Sequence, residues 1–537
     1  VGTPNITINQ LVSWVALLGG LLVAAVLGSA VGSSDMRLVA VLIGLIPVVV
    51  LFVHLRTNIW VLIPMGWFFS GRLPWLPVPL TVRDMCMLVV VLFYVGFFAM
   101  RVVPWKRPRP RTLLDNLILI NLAYLVVVYL RNPVGFLAFE TSMVGGRPYF
   151  EILLAFAAYL VLCRATLGDV TARIFPFFMV IPTILLGALE VLSRLVPAAG
   201  QTLSSLYTGI AGGDGLSAGF SDEQRLGETR FTGLQFTGIT GVLALCARYN
   251  PITLISPIHP LRTLLFAASL TAIFLSGFRT AILFAMVAFL LSAVLRRRMQ
   301  DLWLASAVTA LGLIAVIMLQ GSVIQWPVTM QRTLSWLPGD WSDQALQDAE
   351  GSSQWRFDMW KWAWEDTRIM RDKVLGQGFG FTLEDMNLIA NALLAGQSGG
   401  AYLGGSYQES FMIMGSFHSG PLSTIKVIGV VGFLLYYPLM CYMAVFAWRL
   451  CRRAHGTKGF TLALFLGIPV IYEPFNFMFV YGAIDSNYST LLVSAGFLNL
   501  LSNYLDRIEG KPVSAALVKP LPAPLRSAAR SAPLQAS

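Results

Sequence analysis

"PLSTIKVIGVVGFLLYYPLMCYMAVFAWRLCRR", Pro421–Arg453, sets the scale on which this chain is built. Its apolar part, 421–448, exceeds the roughly 20 residues a helix needs to cross about 30 Å of hydrocarbon, and it ends in a basic cluster, Arg449–Lys458. Just before it, in "GSFHSG", stands His418, one of four histidines in the chain. A titratable ring where a polar segment re-enters an apolar one is a candidate for chemistry at a membrane surface.

Comparable apolar runs lie at 11–31, 37–53, 58–70, 85–100, 113–130, 149–163, 174–196, 231–248, 260–276, 280–295, 302–320, 460–481 and 487–505. With 56% hydrophobic and 12% charged residues and a mean hydropathy of +0.71, a chain of 537 residues is not a soluble globule. The runs are too long and too continuous for the alternating strands of a membrane barrel. The reading is an all-α polytopic membrane protein of about 12–14 transmembrane helices, with a large loop outside the membrane, on the side away from the cytoplasm, that contains short helices. The run at 11–31 lacks a basic leader and exceeds a signal core, so it is taken as the first span.

The net charge of +11 does not point to nucleic acid, because the basic residues cluster beside apolar runs: 101–111, Arg296–Arg298, Arg449–Lys458 and the C-terminal tail. Placed together on the cytoplasmic side, these clusters put both termini inside and leave the segment 321–420 outside. The expected divisions are N-terminal membrane helices over 1–230, central ones over 231–320, the outer loop over 321–420, C-terminal helices over 421–510 and a disordered cytoplasmic tail over 511–537. The five cysteines form no paired motif, so neither a disulfide framework nor a thiolate metal site is expected.

Half of the 14 tryptophans crowd into the first half of the outer loop. There "GSSQWRFDMWKWAWEDTRIMRDK" predicts a helix capped by Ser352 or Ser353, with Trp355, Met359, Trp362 and Ile369 on one face. Its tryptophans suit interfacial anchoring, and Trp355 and Trp362 are candidates for stacking on sugar faces. "VLGQGFGF", Val374–Phe381, lacks the lysine and the strand–helix setting of a nucleotide loop and reads as a tight turn. "AGQSGGAYLGGSYQES", 395–410, reads as a linker or a substrate lid.

Two arginines stand where spans meet the outer surface. Arg279, in "LSGFRTAILF", lies in a tight hairpin, with Thr280 a candidate cap for the next helix; Arg230, in "ETRFTGLQFTGITG", precedes a helix whose glycines at 233, 238 and 241 permit close packing. Glu190 and Arg194, spaced i,i+4, are expected to pair.

Arg230 in "RFTG", Arg279 in "SGFRT", Arg356 in "WRFDMWKWAW", the turn "GQGFG" and His418 in "FHSGPLSTIKVIGVVG" occur in an order that resembles the O-antigen ligase and polysaccharide polymerase superfamily of bacterial inner-membrane glycosyltransferases. The resemblance spans about 228–445. It departs from the family pattern at "LQFTGITG", where Pro-Asn is common, and at Ser419, where Asn is usual.

The resemblance implies transfer or polymerisation of a glycan from a polyprenyl diphosphate, typically undecaprenyl diphosphate, onto an acceptor hydroxyl. It implies His418 and Arg279 as catalytic residues, Arg230, Arg279 and Arg356 as diphosphate ligands, and no metal or cofactor. The implied partners are the lipid-linked donor, a glycan or lipid acceptor, membrane lipids and other envelope-polysaccharide assembly proteins. The alternatives are a lipid-linked glycan flippase or polysaccharide transporter, which would also use intramembrane arginines, and a non-catalytic scaffold.

Overall fold

The computed structural model describes residues 58–74, 80–99, 112–135, 143–210, 231–321, 323–335, 337–383, 385–387, 412–415 and 417–510. The expected spans at 11–31 and 37–53, the basic run 101–111, Arg230, the glycine-rich stretch 395–410 and the tail 511–537 lie outside them. The chain divides into two compact units, Val1–Ile59 and Trp60–Ser537, and the fold below is that of the second.

Helices form where the apolar runs predict them. In chain order the principal ones are α1 Val82–Ala99, α2 Leu113–Arg131, α3 Arg147–Leu162, α4 Asp169–Leu195, α5 Thr232–Arg248, α6 Pro260–Leu275, α7 Arg279–Leu295, α8 Met299–Leu319, α9 Asp343–Glu365, α10 Gly420–Ala454, α11 Phe460–Phe475 and α12 Ile484–Ile508. Among the described residues α2, α4, α10 and α11 with its π-helical continuation to Val480 are long and apolar enough to cross a membrane. Apolar side chains also point outward, Leu434 at 63% exposure and Leu264 at 65%, as expected of helices that face lipid. The protein is an all-α polytopic membrane protein.

One expected span is overturned. Within 58–70 only Leu62–Gly66 is α-helical, too short to cross a bilayer. Gly66 packs so closely on α1 that a Cβ there would lie 2.5 Å from Cys86 Sγ.

α12 forms the buried centre although it is less apolar than its neighbours, because its polar side chains find partners inside the protein. Asn499 Nδ2 donates to Tyr159 Oη at 3.3 Å and to Cys163 Sγ at 3.1 Å, and Tyr159 Oη in turn donates to Asp115. Gly496 lets α12 meet α3, where a Cβ would lie 2.7 Å from Leu162 Cδ1. Phe175 on α4 joins Phe465 and Phe497 edge-on at 6.1 and 5.6 Å.

Of the basic clusters, the two that lie among the described residues, at Arg296 and at Arg453, sit at one end of the bundle. The Arg296 guanidinium lies 5.2 Å from the Phe460 ring centre, and Arg453 Nη2 pairs with Asp506 and Glu509 at 2.6 and 2.7 Å. Arg296 also donates to the Cys246 and Ala247 carbonyls, closing the last turn of α5.

Candidate functional site at the opposite end of the bundle

α7 and α11 run antiparallel. Arg296, just past the end of α7, meets Phe460 at the start of α11, and Phe284 meets Tyr472 at 5.6 Å nearer the other ends. Arg279, the first residue of α7, therefore lies at the end where α11 gives way to Tyr481. α5 brings its start to the same place, since Phe231 N–H donates to the Ser276 carbonyl at 3.0 Å. Phe231, in the motif "RFTG", thus meets the hairpin that carries Arg279.

The Arg279 hairpin turns on Gly277, whose φ is 74°. Arg279 Nη2 donates to Ser335 Oγ at 3.1 Å, tying the hairpin to the segment after α8. Thr280 does not cap α7: the N-cap is Phe278, without a side-chain hydrogen bond, because the helix begins two residues earlier than a Thr280 cap would place it. The start of α5 is closed by Glu190, whose carboxylate accepts from the N–H groups of Thr232 at 3.1 Å and Gly233 at 2.6 Å. Arg194 pairs with Glu190 at 3.8 Å, as its spacing predicts, and stacks 4.1 Å from the Phe231 ring centre. Gly233 and Gly238 are close-approach positions, where a Cβ would lie 2.8 Å from Gly187 Cα and 2.5 Å from Ile273 Cγ1.

His418 stands in the turn that feeds α10. Its φ of 51° is left-handed, uncommon for a side-chain-bearing residue and maintained only where surrounding contacts impose it. Three such contacts are present. Trp360 Nε1 on α9 donates to the Phe417 carbonyl at 2.7 Å; Phe417 is fully buried; and the Tyr481 ring lies 5.4 Å from the imidazole at 35°. Gly420 follows because a Cβ there would lie 2.3 Å from the Phe477 carbonyl oxygen, and Ser423 Oγ accepts from Ile484 N–H at 3.1 Å. The α11–α12 connection is thus locked against the first turn of α10.

α9 starts at Asp343, so Ser352 and Ser353 lie inside the helix rather than capping it. The preceding "DQALQDAE" is itself strong helix-forming sequence, and the nucleus extends back through it. Arg356 is one turn before Trp360 and hence on the face turned toward Phe417. Trp362 is 52% exposed, off that face, and nothing is described of the Trp355 side chain.

The glycine turn has a role its composition does not announce. α10 is interrupted at Gly429, where φ is 70° and ψ is 178°. The segment Lys373–Gly378 lies in the break. Gln377 and Gly378 N–H donate to the Lys426 and Val427 carbonyls at 3.0 and 2.8 Å, while Val430 and Val431 N–H donate to the Lys373 and Val374 carbonyls at 2.8 and 3.1 Å. Tyr124 Oη on α2 donates to Ile428 O at 3.1 Å. An interrupted helix in an apolar surround must have its freed backbone groups met by protein, and here the segment Lys373–Gly378 meets them. Neither glycine can be larger: a Cβ at Gly376 would lie 2.4 Å from Val427 O, and one at Gly429 2.2 Å from Val374 O.

The inserted segment is held at its start by Asp372. Its Oδ1 accepts from the N–H groups of Leu375 and Val374 at 2.9 and 3.0 Å, and its Oδ2 pairs with Arg131 Nη2 at 2.8 Å. The Leu375 amide, then the Arg131 guanidinium, keep the carboxyl below its ordinary range. The folded-state value is depressed, so this stabilisation is complete above the unfolded carboxylate value near 3.9 and fades only as pH falls through the lower folded one. Asp372→Ala is accordingly expected to speed proteolytic nicking around 372–378 at pH 7, with the difference from wild type closing well below pH 4. An equal difference at all pH values would contradict this.

Residues 264–437 match the family model described as O-Antigen ligase. The chain carries an O-antigen ligase family segment. That segment contains Arg279, Arg356, the glycine turn, His418 and Gly429; Arg230 precedes it. No curated protein matches the chain. Around the His418 turn stand Trp360, Tyr481 and Lys426, to which the sequence alone assigns no role. Trp360 was reachable as the residue one turn on from Arg356, whereas Tyr481 carries no local signal.

Proposed function

We propose that this protein is an inner-membrane glycosyltransferase of the O-antigen ligase and polymerase type, moving or polymerising a glycan from a polyprenyl-diphosphate carrier onto an acceptor hydroxyl at the periplasmic face. The basic end is then cytoplasmic and the end holding His418 periplasmic. The observation that carries the reading is the gathering of the Arg279 hairpin, the start of α5 after Arg230 and the His418 turn at one end of the bundle, inside or beside the family match.

The chemistry suits these groups. The bond broken joins the anomeric carbon to a diphosphate oxygen, and the bond formed joins that carbon to the acceptor oxygen. Charge builds on the departing diphosphate, where the guanidinium forks of Arg279 and Arg230, supported by Arg356, match phosphate oxygens. His418 accepts the proton from the attacking hydroxyl as general base. A single displacement inverts the anomeric centre. This scheme routes no step through a metal.

The break in α10 does not favour a transporter. Discontinuous helices in transporters line a cargo site, whereas this break is filled by the backbone of Lys373–Gly378.

The test is a purified, reconstituted protein given a polyprenyl-diphosphate glycan and an acceptor glycan or lipid. Release of polyprenyl diphosphate with growth of the acceptor is expected, and movement of intact donor between leaflets without release would overturn the reading. In the same assay Arg279→Lys is expected to lower turnover at least about tenfold, because a point charge cannot present two parallel N–H groups to a phosphate. Unchanged turnover would remove the fork from the mechanism.

A further inference from the structure

Lys426 is a lysine two turns into α10 with only 5% of its surface exposed. Its ammonium donates to the Met412 carbonyl at 2.9 Å and to the Ile413 carbonyl, and it lies 5.7 Å from the Phe417 ring centre. The chain it holds then turns at Gly415, φ 76°, where a Cβ would lie 3.4 Å from Lys426 Cδ, and runs directly to His418. Burying an ammonium is costly unless its hydrogen bonds are met, and these two carbonyls take two of its three N–H groups. Methionine or leucine would fill the space without that cost, so a lysine at this position calls for a use.

The same residue reaches the other side of the helix through its backbone. The Lys426 carbonyl accepts from Gln377 N–H at 3.0 Å, so it binds the glycine turn lodged in the α10 break while its side chain binds the segment before His418.

We propose that Lys426 is a positioning residue for His418, fixing the Met412–His418 turn and coupling it to the docked glycine segment. It is too buried to meet substrate, so it acts through the histidine. The inference rests on the transferase reading above and adds to it a residue that the reading does not use.

The experiment compares wild type, Lys426→Met, Lys426→Arg and His418→Asn, reconstituted with a polyprenyl-diphosphate glycan donor. Turnover, donor KM and thermal midpoint are measured for each, together with the rate of His418 carbethoxylation by diethyl pyrocarbonate, read by mass spectrometry. Lys426→Met is expected to lower kcat at least tenfold with donor KM within twofold of wild type and to change His418 reactivity several-fold. Lys426→Arg, which keeps a donor to the two carbonyls, is expected to recover part of both. Wild-type kcat in Lys426→Met overturns the proposal. So does a fall in kcat matched by a lowered thermal midpoint and not relieved by arginine, since that is loss of structure alone. Full turnover in His418→Asn instead brings down the transferase role of the histidine, an outcome separable from the other two because His418 reactivity is read without turnover.

Discussion

His418→Ala and His418→Asn are both expected to lower glycan transfer by about 10²–10⁴-fold while the protein still inserts and accumulates. The size is that of removing a general base, the role proposed for the imidazole. Asparagine is the more telling variant. The site demands a φ of 51°, which Asn adopts more readily than Ala, so it keeps the turn and lacks only the base. Folding should survive either change, because the anchors of the turn lie on its neighbours: the Phe417 carbonyl bonded by Trp360, and Gly420 seated against Phe477. Turnover within tenfold of wild type in both variants removes the imidazole from the reaction.

The second large effect concerns stability. Gly429→Ala is expected to cost about 2–6 kcal/mol, from about 1–3 kcal/mol for a backbone region nearly closed to other residues and a similar amount for overpacking. The added methyl would stand 2.2 Å from the Val374 carbonyl oxygen, which is backbone and itself bonded to Val431 N–H, so neither partner can yield cheaply. Against a total stability of about 5–15 kcal/mol, such a loss lowers the thermal midpoint sharply. Exposure of buried Cys246 and Cys451 to a thiol reagent on heating in detergent measures it. Gly376→Ala should behave alike, since the contact is mutual. A wild-type midpoint in either variant would mean that the loop is not seated in the helix break.

Most of the fold could be read from the chain because lipid imposes a simple rule. Apolar runs long enough to span become helices, and α2, α5, α6, α7 and α12 begin or end within a few residues of the runs that predict them. The candidate residues could be picked out too, because Arg279, Arg230 and His418 are polar groups at the ends of such runs. The failures were local. Thr280 and Ser352 or Ser353 are good caps by type, but a cap is defined by where a helix starts, and neighbouring sequence moved both starts.

The sequence by itself determined which of the described segments are helical and that Arg279 and His418 stand at the ends of apolar runs. Only the tertiary structure decided that α10 is two helices. Within 421–448 the residue that by type should kink it is Pro438, yet the chain breaks at Gly429. The break needs hydrogen-bonding partners for its opened backbone, and these come from Lys373–Gly378 and from Tyr124, far away along the chain. A local pattern records hydrophobic length and propensity; it does not record which distant backbone will satisfy an N–H or a carbonyl. For the same reason Lys426 reads as a stray charge in an apolar run until the fold brings the Met412 and Ile413 carbonyls to its ammonium.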